Sequence, residues 1–361
     1  MMRVLHIVSA GEIGGAERML GDLVRNRENH SIAILSPNPG LRALVKSFGV
    51  RVYDKGEGKE GALQTLRSAF GDSDVAFFSS AIAQAHADIV HLHTFGSQVV
   101  GTRAALRTGA RVVRTEHSTR VYDDPSCWPF SRWSLARTDR VVCISDHIRS
   151  HVLSRAPRVR EKLSVVYNGV DVERFSERPP LSPSPGAPFR FAMVGRLDTR
   201  KGVDLAIQAL ARVPEAHLDI VGDGDQREAL AALAERLGVP RRVTFHGFVS
   251  DPRPILAKAD ACLSSSRTEG LGIALLEAMA SGVAVVALPT GGIPEYVIDS
   301  VTGFLAHGQG EAALVREMQR ALSQRARLPE IGRAARKLVC ERFSVGAMRA
   351  GYDEVYRSLA P

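Results

Sequence analysis

A chain of 361 residues is too long for one comfortable hydrophobic core and points to two domains; 45% hydrophobic and 24% charged residues are ordinary for a soluble globular protein. No apolar run approaches the ~20 residues that span a bilayer, and Cys127, Cys143, Cys262 and Cys340 lack CxxC spacing, which argues against a zinc site or disulfide scaffold and fits a reducing, cytoplasmic setting. Most of the net charge of +8 sits in residues 1–180, with 25 Lys+Arg against 19 Asp+Glu, but aromatics are only 6%, so a nucleic-acid partner is not expected and the excess reads as a solvated basic surface open to anionic headgroups.

The first segment, MMRVLHIVSAGEIGGAERML, has a brief apolar run with Glu12 and Glu17 where a secretory cleavage site would need small residues. It reads as a buried strand entering a loop. Strands are predicted at Arg3–Ser9, Ser31–Leu35, Ile89–His93, Arg111–Thr115, Arg140–Ile144 and Leu163–Tyr167, with amphipathic helices such as Ala16–Arg25 and Leu41–Phe48 between them. Pro179, Pro180, Pro183, Pro185 and Pro188 then mark a linker over 176–188. Beyond it, strands are predicted at Phe189–Val194, His217–Val221, Arg242–Phe245, Ala261–Ser264 and Ala284–Ala287. Helices are predicted at Leu205–Ala211, Asp225–Leu237, Pro252–Lys258 and Ile273–Ala280. The tail from Glu311 is helical, and 344–361 is expected to pack back on the first domain. Alternation of this kind gives an α/β chain of two doubly wound, Rossmann-like domains, 1–175 and 189–343. Ligands of such sheets bind at the carboxyl ends of the strands, here between two facing domains.

The strongest chemical signal is Glu269-Gly-Leu-Gly-Ile-Ala-Leu-Leu-Glu277-Ala-Met-Ala-Ser-Gly282, after a predicted strand and opening a helix. Gly270 and Gly272 let the backbone approach a ligand. The N–H groups from Gly270 through Leu271, Gly272 and Ile273 favour an anion at the helix start. Glu269 is placed to meet a sugar or phosphate neighbour, and Glu277, two turns on, to hold ribose hydroxyls. Arg196 and Lys201 flank a strand-to-helix turn where a diphosphate would sit, and two cations there stabilise a departing nucleotide. Gly222-Asp-Gly-Asp225 has the look of a DxD metal site. Gly11-Glu-Ile-Gly14-Gly15 is not GxGxxG, so no NAD fingerprint is present. His117 falls just after the strand Arg111–Thr115 and suits hydrogen-bonding a sugar hydroxyl or positioning an acceptor. His91 and His93 share one strand face without supporting carboxylates, so packing is expected of them, with His93 touching the cleft.

These motifs resemble glycosyltransferase family 4, the retaining GT-B enzymes. The resemblance rests on the two glutamates seven residues apart in EGLGIALLEAMASG, Val194-Gly-Arg196-Leu-Asp-Thr-Arg-Lys201-Gly202, Val221-Gly-Asp-Gly224, Val166-Tyr-Asn168-Gly-Val-Asp171 and Gly14-Gly15-Ala-Glu17-Arg. It implies a GT-B fold and a retaining transferase that uses a UDP- or GDP-linked sugar and no metal. It further implies Glu269, Arg196, Lys201 and His117 as catalytic residues. Donor contacts would come from Gly14, Gly15, Glu277, Gly270, Leu271, Gly272, Ile273 and, around the base, Val249 in the loop Gly247–Ser250. The expected partners are a nucleotide sugar and a glycan or lipid-linked acceptor, with peripheral contact at the inner face of a membrane. Two rivals share parts of this pattern: a GT-B sugar-nucleotide 2-epimerase and a non-catalytic nucleotide-sugar-binding subunit. The acceptor is not legible, although Tyr122–Trp133, with Trp128 and Phe130 beside arginines, is the most distinctive stretch of the first domain.

Overall fold

The computed structural model describes residues 2–9, 13–56, 71–177 and 186–360. Contacts divide the chain into a unit of Met1–Gly169 with Val345–Pro361 and a second of Val170–Ser344. The division falls ahead of the predicted 175 because Val170 N–H donates to Phe343 O at 2.8 Å. Most of the proline-rich linker, 178–185, lies outside the described residues.

In the first unit, strands β1 (Val4–Ser9), β2 (His30–Leu35), β3 (Arg51–Asp54), β4 (Ile89–Leu92), β5 (Arg111–Glu116), β6 (Arg140–Cys143) and β7 (Leu163–Val165) form one parallel sheet. Their order is β3-β2-β1-β4-β5-β6-β7. Strand direction of travel across the sheet reverses at β1 and β4, so the loops after Ser9 and Leu92 open at a switch point, where such sheets hold ligands. Near-continuous apolar burial along β1 and β2 fits helices on both faces. One core joins Val4, Val8, Leu20 and Leu23 to Met348, Tyr352 and Tyr356 of the last helix, Val345–Arg357. The other joins Leu5, Ile7, Phe78, Leu92 and Val100.

The second unit repeats the plan with β8 (Phe189–Val194), β9 (Ala216–Val221), β10 (Val243–Gly247), β11 (Ala261–Ser264), β12 (Ala284–Ala287) and β13 (Gly303–Leu305), ordered β10-β9-β8-β11-β12-β13. Here the switch point lies between β8 and β11.

Two short edge strands, β3 and β13, escape sequence reading because neither offers an apolar run long enough to stand out. The helix Phe95–Thr108 escapes it for the opposite reason: eight of its positions, including Ser97, Gln98 and Thr102, are buried, which erases the polar stripe. The predicted helix Pro252–Lys258 shortens to Arg253–Leu256. Trp128–Ala136 is a helix whose Trp128, Phe130 and Trp133 are half-buried. Among the described residues no helix is long and apolar enough to cross a membrane.

Candidate active site

The second unit brings together the loops that follow β8 and β11. After β8, Asp198 accepts hydrogen bonds from the backbone N–H of Arg200 (3.0 Å) and Lys201 (3.3 Å), which winds Thr199–Lys201 into a single tight turn. Gly202 follows at φ +62°, and a Cβ there would lie 2.1 Å from the Ser265 carbonyl, so the two loops touch through backbone. Ser265 Oγ donates to Gly202 O at 2.7 Å, Arg267 N–H donates to Arg200 O at 2.7 Å, and the Arg267 guanidinium grips Asp204 with two 2.7 Å bonds. This lacing fixes where Lys201 points. Its carbons run 3.6 Å from where a Gly195 Cβ would be, and its Nζ donates to Glu269 Oε2 at 2.6 Å. Ser266 Oγ donates to the same oxygen at 3.4 Å.

Glu269 is held from the other side as well. Gly291, at φ +59°, lies so close that a Cβ would sit 1.7 Å from the Glu269 carbonyl, while Thr290 Oγ1 donates to Ser266 O at 2.7 Å. Gly272 begins the helix Ile273–Ala280 at φ +90° and, as glycine, brings no side chain of its own to cap the first N–H groups. The Tyr296 hydroxyl occupies the space a Cβ would need there and donates to Leu271 O at 2.7 Å. Burial, and after it the charge of Glu269, push the Tyr296 hydroxyl well above its ordinary range, so it stays a donor. Glu277 is half-buried on the same helix. Burial, and then the Glu277 charge, push the Cys262 thiol up to about 12, which keeps it uncharged in a pocket lined with Met193, Lys201, Ser266, Glu269 and Gly272. An ammonium, a carboxylate and a glycine-led helix start thus line one recess. That set can hold a phosphate at one end and hydroxyls at the other.

Arg196 is exposed on the same loop as Lys201. Beneath it, Gly222 and Gly224 are demanded by backbone packing: Cβ atoms there would lie 1.8 Å from Gly195 O and 2.4 Å from Leu197 O. Gly222 N–H donates to Gly247 O at 2.8 Å, tying this turn to the loop in which Val249 is half-buried beside the exposed Phe248. Sequence reading missed Ser265, Arg267, Gly291 and Tyr296, which carry no chemistry of their own but position Lys201, Glu269 and Gly272.

The first unit holds the remaining residues. Gly14 precedes the helix Gly15–Val24 and donates its N–H to Glu17 Oε2 at 2.8 Å; beside Gly15 no described residue lies within 4 Å of a would-be Cβ. His117 follows β5 with both ring nitrogens buried and, among the described residues, unpartnered, and burial lowers its pKa to about 4, so it is neutral at pH 7. Its ring centroid is 5.9 Å from that of His93, just past β4. His93 belongs to a larger group. His6 Nδ1 lies 2.9 Å from His93 Nε2, and His6 Nε2 lies 2.8 Å from His30 Nδ1. His91 contacts Tyr356 Oη and Thr115 Oγ1, each at 2.7 Å. His6 and His30 went unnoticed in the sequence, because the parallel register that sets His6 beside His91 and His30 beside Val4 is a long-range property.

Comparison with known proteins gives a consistent picture. The family profile described as Glycosyltransferase Family 4 matches residues 13–174, and the one described as Glycosyl transferases group 1 matches residues 176–338. The chain is 34% identical over 282 residues to a GDP-mannose-dependent alpha-(1-6)-phosphatidylinositol monomannoside mannosyltransferase of Mycobacterium tuberculosis, covering 72% of each. To the protein of that description from Mycolicibacterium smegmatis it is 30% identical over 358 residues, covering 89% of this chain and 87% of the relative. The crystal structure of Anabaena HepE in complex with UDP and glucose superposes with a TM-score of 0.83 at 24% identity, over 99% of this chain and all of that one.

Proposed function

Because this chain belongs to glycosyltransferase family 4 and is a glycosyltransferase of GT-B fold, we propose that it transfers a sugar from a UDP- or GDP-linked donor to a glycan or lipid-linked acceptor of the cell surface, with retention and without a metal ion. The observation that carries this reading is the Lys201–Glu269 contact of 2.6 Å at a glycine-led helix start. The diphosphate takes the helix N–H groups, Lys201 and Arg196, and the sugar takes Glu269. Glu277 holds the ribose, and the loop around Val249 receives the base. The names of relatives support both nucleotides, since HepE was crystallised with UDP and the mycobacterial enzymes are described as GDP-mannose-dependent.

The step needs little beyond positioning and charge. The bond between the anomeric carbon and the diphosphate oxygen breaks, and negative charge gathers on that oxygen, where Lys201 and Arg196 stabilise it without a divalent cation. The acceptor hydroxyl oxygen forms its bond on the face the diphosphate leaves, and its proton passes to the departing phosphate. Front-face attack of this kind retains configuration. It needs no carboxylate nucleophile, whose usual partner would stand about 5–5.5 Å away. His117, a neutral imidazole in the first unit, suits a sugar hydroxyl as donor or acceptor. Thermal shift with UDP, GDP, ADP and their common sugar conjugates is the first test. One nucleotide diphosphate family should raise Tm by several degrees, and the matching sugar conjugate should be transferred or slowly hydrolysed. Silence from every nucleotide would end this reading.

A further inference from the structure

His30, His6 and His93 form one row of imidazoles joined by contacts of 2.8 and 2.9 Å, and none of the three is more than 4% exposed. Burial lowers all three pKa values well below the ordinary range, with the neighbouring charges of the row and of Arg27 adding to it for His6, so the row is neutral. Proton bookkeeping then constrains it. Three neutral imidazoles own three N–H groups; two are consumed in the two internal contacts, and the third must stand at an end. If it stands on His93 Nδ1, then His30 Nε2 has a lone pair; if it stands on His30 Nε2, then His93 Nδ1 has the lone pair. Among the described residues, both of these end nitrogens are buried without a hydrogen-bond partner, as are both nitrogens of His117 beside His93.

A buried polar atom left unpaired is costly and rare. The His93 end adjoins the β1–β4 switch point, where a doubly wound sheet receives ligands. We propose that His93 Nδ1 and His117 together form a hydroxyl-binding site in the N-terminal unit, and that His6 and His30 are positioning residues whose tautomers set whether His93 offers a proton or a lone pair. A hydroxyl is the fitting ligand because it both donates and accepts, so it satisfies either tautomer. An anion would need a charged imidazolium there, and a carbonyl could answer only one tautomer. That the hydroxyl belongs to a transferred or accepting sugar rests on the transferase reading; the coupling between the two ends of the row does not.

The test is long-range proton–nitrogen NMR on the full chain labelled at histidine, with UDP-glucose, GDP-mannose and glycerol as probes. In the free protein His93 Nδ1 and His30 Nε2 should be complementary, one protonated to the extent that the other is not, and His6→Phe should abolish that relation. Should this variant fail to fold, His30→Phe serves: it removes the far end and should shift the protonation of His93 Nδ1. At least one probe should move the His93 Nδ1 signal in the wild type and carry His30 Nε2 with it. Independent titration of the two ends, or a His93 Nδ1 signal that no probe moves, would overturn the proposal. A second comparison separates ligand binding from packing. His93→Gln keeps an atom at the Nε2 position for His6 but loses the ligand-facing one, whereas His93→Asn does the reverse. We expect His93→Gln to weaken the responding probe by roughly tenfold, one hydrogen bond's worth, with Tm held, and His93→Asn to lower Tm while keeping the probe. The opposite ranking would assign His93 to packing alone. Failure of every nucleotide to bind, with the complementary titration and the glycerol response intact, would sink the transferase reading and leave this site standing.

Discussion

At the scale of single residues, Lys201 and Glu269 serve two ends at once. Their side chains are 27% and 15% exposed, so the contact is partly desolvated and each charge depends on the other. Replacing Lys201 with Ala leaves the Glu269 carboxylate with Ser266 at 3.4 Å as its remaining described hydrogen-bond donor. We expect Lys201→Ala to lower kcat by roughly 10²–10³ while donor affinity changes far less, because the ammonium matters most when the diphosphate departs. Steady-state kinetics would read the difference; equal losses in binding and turnover would remove the leaving-group role. The same variant should lose Tm, and adding Glu269→Gln should restore part of it. The cycle coupling is expected at about 0.5–3 kcal/mol, measured by denaturant unfolding.

At the scale of elements, the site is made by glycines that let loops touch. Gly291→Ala would force a Cβ into the Glu269 carbonyl at a backbone angle that L-residues avoid. It should cost more than about 2 kcal/mol and abolish donor-induced stabilisation, as read by thermal shift with and without nucleotide. Gly15→Ala is the contrasting case. With no described residue within 4 Å of its Cβ and a place in the first helical turn, Ala there should leave Tm unchanged or raise it, by up to about 1 kcal/mol in stability. If Gly15 presents its backbone to the donor, the stable variant should nevertheless bind donor less tightly. These cases also show what a sequence can carry. Glu269 and Gly272 stood out by residue type and spacing at a predicted helix start, and Lys201 and Gly202 by their place in a strand-to-helix turn whose motif resembles the family's. Gly291, Tyr296 and Arg267 did not, since their value lies in touching residues distant in sequence. The same limit hid His6 and His30, and left β3 and β13 unread.

For the whole molecule, the buried histidines make acid a selective stress. His30 and His117 titrate at about 3 and about 4 in the fold, against about 6.5 when unfolded, and burial leads in both shifts. Below 6.5 the unfolded chain binds more protons than the native one, so stability falls as pH falls, until the folded values are reached. Each group contributes about 1.4 kcal/mol per pH unit, or roughly 2 kcal/mol between pH 7 and pH 5. His6, His91 and His93 shift in the same direction. Thermal unfolding at pH 7.5, 6 and 5 should show the N-terminal unit weakening steeply, and His30→Phe should flatten the slope; a pH-independent Tm across that range would contradict the neutral row.

The last helix has a consequence for how the molecule is made. Met348, Tyr352 and Tyr356 complete the core of a unit whose sheet is otherwise built from residues before Gly169, and Arg349 Nε donates to Asp22 O at 2.7 Å. On the ribosome that sheet emerges first, yet it must wait with part of one apolar face bare while all of Val170–Ser344 is synthesised. The half that is born early is therefore finished late, and a chain halted at Ser344 would carry a mature second unit behind a sticky, incomplete first.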